Sequence, residues 1–122
     1  MNGTSFLLDT NIILYLLSGD KTIASIINEK EIYVSFITEM ELLSYKKISI
    51  HEEKKIKNLL SDVFIVEMNI SIKAKAIEIR KENTIKLPDC IIAATAEHLD
   101  IPLLTSDEGF KKIKSIKHLL YQ

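Results

Sequence analysis

Short apolar runs alternate along this chain with stretches of helical periodicity, and that alternation confines it to an α/β fold with a mostly parallel sheet. Ser5-Phe6-Leu7-Leu8 reads as a buried strand, and Thr10 to Leu17 as a helix stopped at Gly19. Lys21 to Asn28 follows as a second helix, with Ile23, Ile26 and Ile27 on one face. Glu31 to Ser35 alternates as a strand; Thr38 to Tyr45 and Ser49 to Leu60 return to helical spacing. Val63-Phe64-Ile65-Val66 is a third strand, and Ser71 to Lys81 a helix with Ile72, Ala76 and Ile79 on its buried side. A helix opened by Leu87-Pro88-Asp89 runs to about Leu99, because proline suits a first turn whose N–H groups lack partners. Pro102 to Thr105 is a fourth strand, Glu108 to Ile113 a short helix, and Ile116 to Tyr121 a fifth strand. The expected architecture is three-layer α/β/α, with helices on both faces of a central sheet of four or five strands.

The length, 122 residues, suits one domain over residues 1–122, and 47% hydrophobic residues suffice for a core. No repeat or linker-like stretch divides it. The single cysteine, Cys90, has no partner for an internal disulfide, which fits a reducing cytoplasm. No positive charge precedes the first apolar run and Asp9 interrupts it, so no secretory signal is expected. The run Ile12 to Leu17 is far shorter than the roughly 20 residues of a membrane helix, so a soluble protein is expected. A net charge of −1 and a pI near 6.3 argue against binding nucleic acid by bulk charge. A nucleic-acid enzyme with this balance must gather its lysines locally.

The acids carry the chemistry. In a parallel α/β sheet, ligands bind outside the carboxyl ends of the strands. Asp9 directly follows the first strand, Asp107 the fourth, and Asp89 lies in the first turn of its helix. Glu41 lies on the helix after the second strand, in line with Ile37 and Tyr45. Each also has an ordinary structural reading: Asp9 and Asp107 as helix caps, Asp89 as a favourable charge at a helix start, Glu41 as a surface residue. Four carboxylates converging on one crevice would repel one another and raise some pKa values. A divalent cation relieves that repulsion, and oxygen-only ligands favour a hard ion, Mg²⁺ or Mn²⁺, over zinc.

Four motifs in order make the pattern specific. Leu7-Leu8-Asp9-Thr10-Asn11-Ile12 resembles the opening motif of PIN domains, especially those of VapC-type toxins, and Ser35 to Leu42 is similar to their second. Leu87-Pro88-Asp89-Cys90 and the residues through Ala96 resemble the third; Leu104-Thr105-Ser106-Asp107 and the residues through Phe110 resemble the last. The resemblance implies a PIN-like fold in which Asp9, Glu41 and Asp89 hold metal, with Asp107 as a more variable fourth acid. It also implies that Asn11 and Thr105 orient the acids or approach the scissile phosphate. Glu39 competes with Glu41 by proximity, but the Leu42 that follows selects Glu41. Cys90 stands where a small packing residue is common.

The activity so implied is metal-dependent endoribonuclease hydrolysis leaving 5′-phosphate and 3′-hydroxyl ends. Its context is a type II toxin–antitoxin pair, with RNA as substrate and an antitoxin and a second copy of the chain as protein partners. His51, His98 and His118 lie outside the motifs and read as surface or packing residues. Lys46 and Lys47, just past Glu41, and Lys86, just before Asp89, are the first candidates to grip RNA. An RNA-processing nuclease without an antitoxin and a catalytically silent binding module remain as alternatives. A phosphoacceptor receiver domain would need adjacent acids after the first strand and a lysine after a later one; Thr10 follows Asp9, and no lysine follows Leu104-Thr105 directly.

Overall fold

The computed structural model describes residues 4–121, so the outermost residues of the expected domain, 1–3 and 122, lie outside the described ones. The strands are β1 (Ser5–Leu8), β2 (Glu31–Ser35), β3 (Phe64–Val66), β4 (Leu103–Thr105) and β5 (His118–Leu120). The helices are α1 (Thr10–Leu17), α2 (Lys21–Ile27), α3 (Phe36–Leu43), α4 (Ile50–Ser61), α5 (Ile70–Glu82) and α6 (Leu87–Leu99), with a 3-10 helix at Glu108–Lys112. The strands lie in the order β3-β2-β1-β4-β5, and every pair is parallel. A parallel neighbour requires a crossover, and each one carries a helical segment across a face of the sheet.

Strand alternation divides the core into two layers. Leu7 and Leu103 face one side, where they meet Ile72, Ala76 and Ile79 of α5 and the run Cys90 to Ala94 of α6. Phe6, Leu8 and Leu104 face the other, against Ile12 and Ile13 of α1, Ile23 of α2, and Ile56 and Leu60 of α4. A side-chain period of two thus feeds both cores from the same strands, and their near-continuous hydrophobicity is what a sheet covered on both faces demands. The three-layer α/β/α expectation holds.

Local capping fixes the ends. Asp20, Ser49 and Asn69 each accept a backbone N–H at the start of α2, α4 and α5, and Ser49 forms a reciprocal capping box with Glu52. Helix α3 begins at Phe36, two residues earlier than periodicity suggests. Ser35 ends β2 and caps α3 at once, its Oγ accepting from the Ile37 N–H at 3.0 Å, so strand passes into helix with no loop. The segment after β4 is a 3-10 helix held by Asp107, tighter than the short α-helix expected there. Among the described residues, no helix is long and apolar enough to cross a membrane.

Candidate active site

The two central strands, β1 and β4, end side by side, with the Asp9 N–H donating to the Leu104 carbonyl at 3.0 Å. The chain turns into α1 immediately after β1 and into the 3-10 helix shortly after β4. Asp9 and Asp107 are therefore both helix caps and neighbours at the carboxyl edge of the sheet. Asp89 comes from the first turn of α6 and Glu41 from the middle of α3. With Asn11, Tyr45 and Lys86, these four acids line one open cleft of ≈ 390 Å³. The positive ends of α1 and α6 face the carboxylates and offset part of their mutual repulsion.

Hydroxyl groups hold two of the acids. Asp9 is buried, its Oδ1 accepting from the Thr10 N–H at 2.8 Å and its Oδ2 from the Thr105 hydroxyl at 2.7 Å. The Thr105 oxygen in turn accepts the Asp107 N–H at 3.0 Å, which couples the loop bearing Asp107 to Asp9. Glu41 Oε1 accepts from the Thr10 hydroxyl at 2.6 Å. Thr10 has one hydroxyl hydrogen and gives it to Glu41, so in its 3.0 Å contact with fully buried Thr38 the donor is Thr38. A line of hydroxyls thus runs from the core to the glutamate. Asp107 Oδ1 accepts the Gly109 N–H at 2.8 Å, and a β-carbon on Gly109 would stand only 3.0 Å from that same oxygen.

Asp89 is different. Among the described residues none donates a hydrogen bond to its carboxylate, and its pKa is raised from 3.8 to about 6. Burial is the largest cause, followed by the charges of Asp9, Asp107 and Glu41, against a small opposing pull from Lys86. Burial raises Asp9 as well, against the two hydrogen bonds it accepts. This is the signature of carboxylates crowded together against their own electrostatics. Among the described residues, no three His, Cys, Asp or Glu groups are drawn together tightly enough to hold an ion in this arrangement. The donor set nevertheless suits a hard dication, being all oxygen, and the raised Asp89 is the group whose repulsion such an ion would relieve.

Of the residues singled out from sequence, Asp9, Asn11, Glu41, Lys86, Asp89 and Asp107 meet at this cleft, and Thr105 stands directly behind Asp9. Lys46 and Lys47 do not line it. They sit on the turn after α3, and Lys47 lines a separate, more apolar groove between α1 and α4 with Leu14, Leu17, Ile48 and Ile56. Glu39 lies outside the cleft lining. None of the three histidines reaches the cleft; His98 instead contacts Ser71 and Asn69 at the start of α5. Cys90 is buried in the core, and burial pushes its thiol pKa up, as an inert packing residue requires. Sequence reading passed over Thr10 and Thr38. The signal was present in part: Thr10 stands beside an acid at a strand end and lines the cleft, and Thr38, one turn before Glu41, is buried behind it.

A parallel α/β sheet with carboxylates gathered at its carboxyl edge suits metal-assisted phosphoryl chemistry. The PIN domain family model matches residues 6–116, and the chain belongs to that family. It is a metal-dependent nuclease by class. Among solved structures it is similar to a toxin–antitoxin complex from Klebsiella pneumoniae, at 32% identity and a TM-score of 0.77, covering 90% of this chain and 93% of that one. VapBC2 from Rickettsia felis, bound to a promoter DNA fragment, shares the fold at 22% identity and a TM-score of 0.83, covering 97% and 99%. DNA-bound VapBC from Salmonella typhimurium does so at 20% identity and 0.79, covering 98% of each chain. The comparison with curated proteins returned no match.

Proposed function

We propose that this protein is a Mg²⁺- or Mn²⁺-dependent endoribonuclease acting as the toxin of a type II toxin–antitoxin pair in the cytoplasm. The observation that carries the reading is the lining of one cleft by Asp9, Glu41, Asp89 and Asp107, with Asp89 raised to about 6 by burial and by the other three. Asp9, Glu41 and Asp89 would hold the metal, with Asp107 as the fourth acid. When bound, the ion supplies an activated water and neutralises charge on the phosphoryl oxygens. The chain's own residues do the rest. The Thr105 hydroxyl fixes the Asp9 carboxylate, and the Thr38–Thr10 line fixes Glu41, so two ligands are oriented before any ion arrives. The Asn11 side chain lies exposed at the cleft and is placed to donate to a phosphate oxygen. Lys86 brings positive charge to a rim that would otherwise repel a polyanion.

The groove between α1 and α4 adjoins the cleft, sharing Tyr45 with it. An antitoxin segment lying in that groove would bury Leu14, Leu17 and Ile56 and reach the acids at one end. A second copy of the chain would cover Met40, Phe64, Met68 and Ile70, exposed around α3, β3 and the turn into α5.

Incubating the antitoxin-free protein with total tRNA and rRNA tests the enzyme. Discrete fragments are expected with Mg²⁺ or Mn²⁺ and none with EDTA or with an Asp9→Asn, Asp89→Asn variant. A loss of at least about 10²-fold in rate, on the order of 3 kcal/mol of transition-state stabilisation, is expected for Asp9→Asn alone. Cleavage that persists in EDTA or in the double variant would discard the site.

A further inference from the structure

A cleft ringed by acids repels the strand it is to cut, and the chain as a whole carries a net charge of −1. Some part of the surface must therefore supply the grip. One groove adjoins the cleft and a second adjoins the first. The first follows the end of α5 and the loop into α6 and shares Lys86 with the cleft. The second passes between that loop and the segment after the 3-10 helix, and shares Glu82 and Asn83 with the first.

Their linings contain Arg80, Lys81, Lys86, Lys112 and Lys114 against a single acid, Glu82. Among the described residues, none of these five cations forms an ion pair. The four pairs present engage Lys57, Lys75, Lys111 and Lys117 instead. Arg80 donates to the Ile85 carbonyl at 2.9 Å, which leaves most of its fork free while it holds the loop in shape. The apolar groove that shares Tyr45 with the cleft is poorer in positive charge: Lys47 and Lys55 share it with Glu52, and Lys55 is tied to the Leu17 carbonyl.

We infer that single-stranded RNA leaves the acidic cleft past Lys86 and runs along this basic track, over the α5–α6 loop toward Lys112 and Lys114. The inference rests on the nuclease reading and deepens it. No aromatic ring lines either groove, so the contacts are to phosphates and carry no sequence preference. Sequence selection is left to the cleft, where Tyr45 stands exposed.

The test is the salt dependence of RNA binding in the Asp9→Asn, Asp89→Asn background, by fluorescence anisotropy with a labelled 12-nucleotide RNA. Lys81→Ala, Lys112→Ala and Lys114→Ala together remove three track charges and leave Arg80 and the loop intact. Lys30→Ala, Lys54→Ala and Lys57→Ala remove three exposed charges elsewhere, with the same change in net charge. The track variant is expected to lower the slope of log K against log salt by about 2, at roughly 0.7 per phosphate contact, with the control slope unchanged. In an otherwise wild-type protein the track variant should raise KM for long RNA and leave kcat unchanged. Equal slopes in the two variants would overturn the track while leaving the nuclease standing, provided the wild type still cleaves RNA. A wild type that neither binds nor cleaves RNA would overturn both.

Discussion

Replacing Asp89 with asparagine is expected to make the metal-free protein more stable at neutral pH, although it removes a proposed metal ligand. In the unfolded chain this carboxyl titrates at 3.8; in the fold it titrates at about 6. Between those values the folded protein keeps a proton that the unfolded chain has released, so stability falls as pH rises through that window. Above it the full penalty is present; below it both states are protonated and the penalty vanishes. The full shift corresponds to about 3 kcal/mol. The side chain is only half-buried, however, and solvent screening reduces the realistic figure to about 1 kcal/mol. For a chain of this length that is a rise in Tm of roughly 3–5 °C. Scanning calorimetry in EDTA at pH 7.5 should show Asp89→Asn melting above the wild type, with the gap closing toward pH 4. Saturating Mg²⁺ should reverse the order, because only the wild type gains full binding energy from the ion. A variant that melts at or below the wild type at pH 7.5 in EDTA would refute the reasoning, as would an advantage that persists unchanged at pH 4.

Thr105→Val keeps the shape of a fully buried residue but removes the hydroxyl that holds Asp9, so Mn²⁺ affinity measured by calorimetry should fall about ten- to a hundredfold, with Thr105→Ser restoring it. Wild-type affinity in the valine variant would mean that Asp9 needs no such support. Leu7→Ala, in the central strand with no exposed surface, should cost about 2–5 kcal/mol in urea denaturation, and a loss below about 1 kcal/mol would contradict the packing described for the sheet.

Much of this was legible in the sequence because the governing signals are local. Helix α1 spans Thr10–Leu17 as its apolar spacing predicts, and α6 opens at the Leu87-Pro88 step that only a first turn tolerates. The acids were legible because each sits at a strand end or a helix start, where chain position alone places it at the carboxyl edge. What stayed hidden depends on contacts between elements remote in sequence. The Thr10–Thr38 contact joins residues 28 positions apart, on helices whose approach no periodicity reveals. Lys46 and Lys47 show the same limit from the other side. They follow Glu41 closely in the chain, but the turn after α3 takes them out of the cleft, whereas Lys112 and Lys114, distant in sequence, line a groove that adjoins the one bearing Lys86. The start of α3 was missed for a simpler reason: a serine ending a strand can cap the next helix with no loop to announce it.

The strand order has one more consequence. Asp9 lies at the end of the first strand, and the hydroxyl that secures it belongs to Thr105, 96 positions later, on the strand that completes the centre of the sheet. A chain emerging from the ribosome therefore displays Asp9 and Glu41 long before Asp89, Thr105 and Asp107 exist. A fragment that ends before β4 lacks a neighbour for one side of β1, the hydroxyl that secures Asp9, and Asp107. The site is thus finished only when β4 docks beside β1, and acids made early wait for a hydroxyl made late.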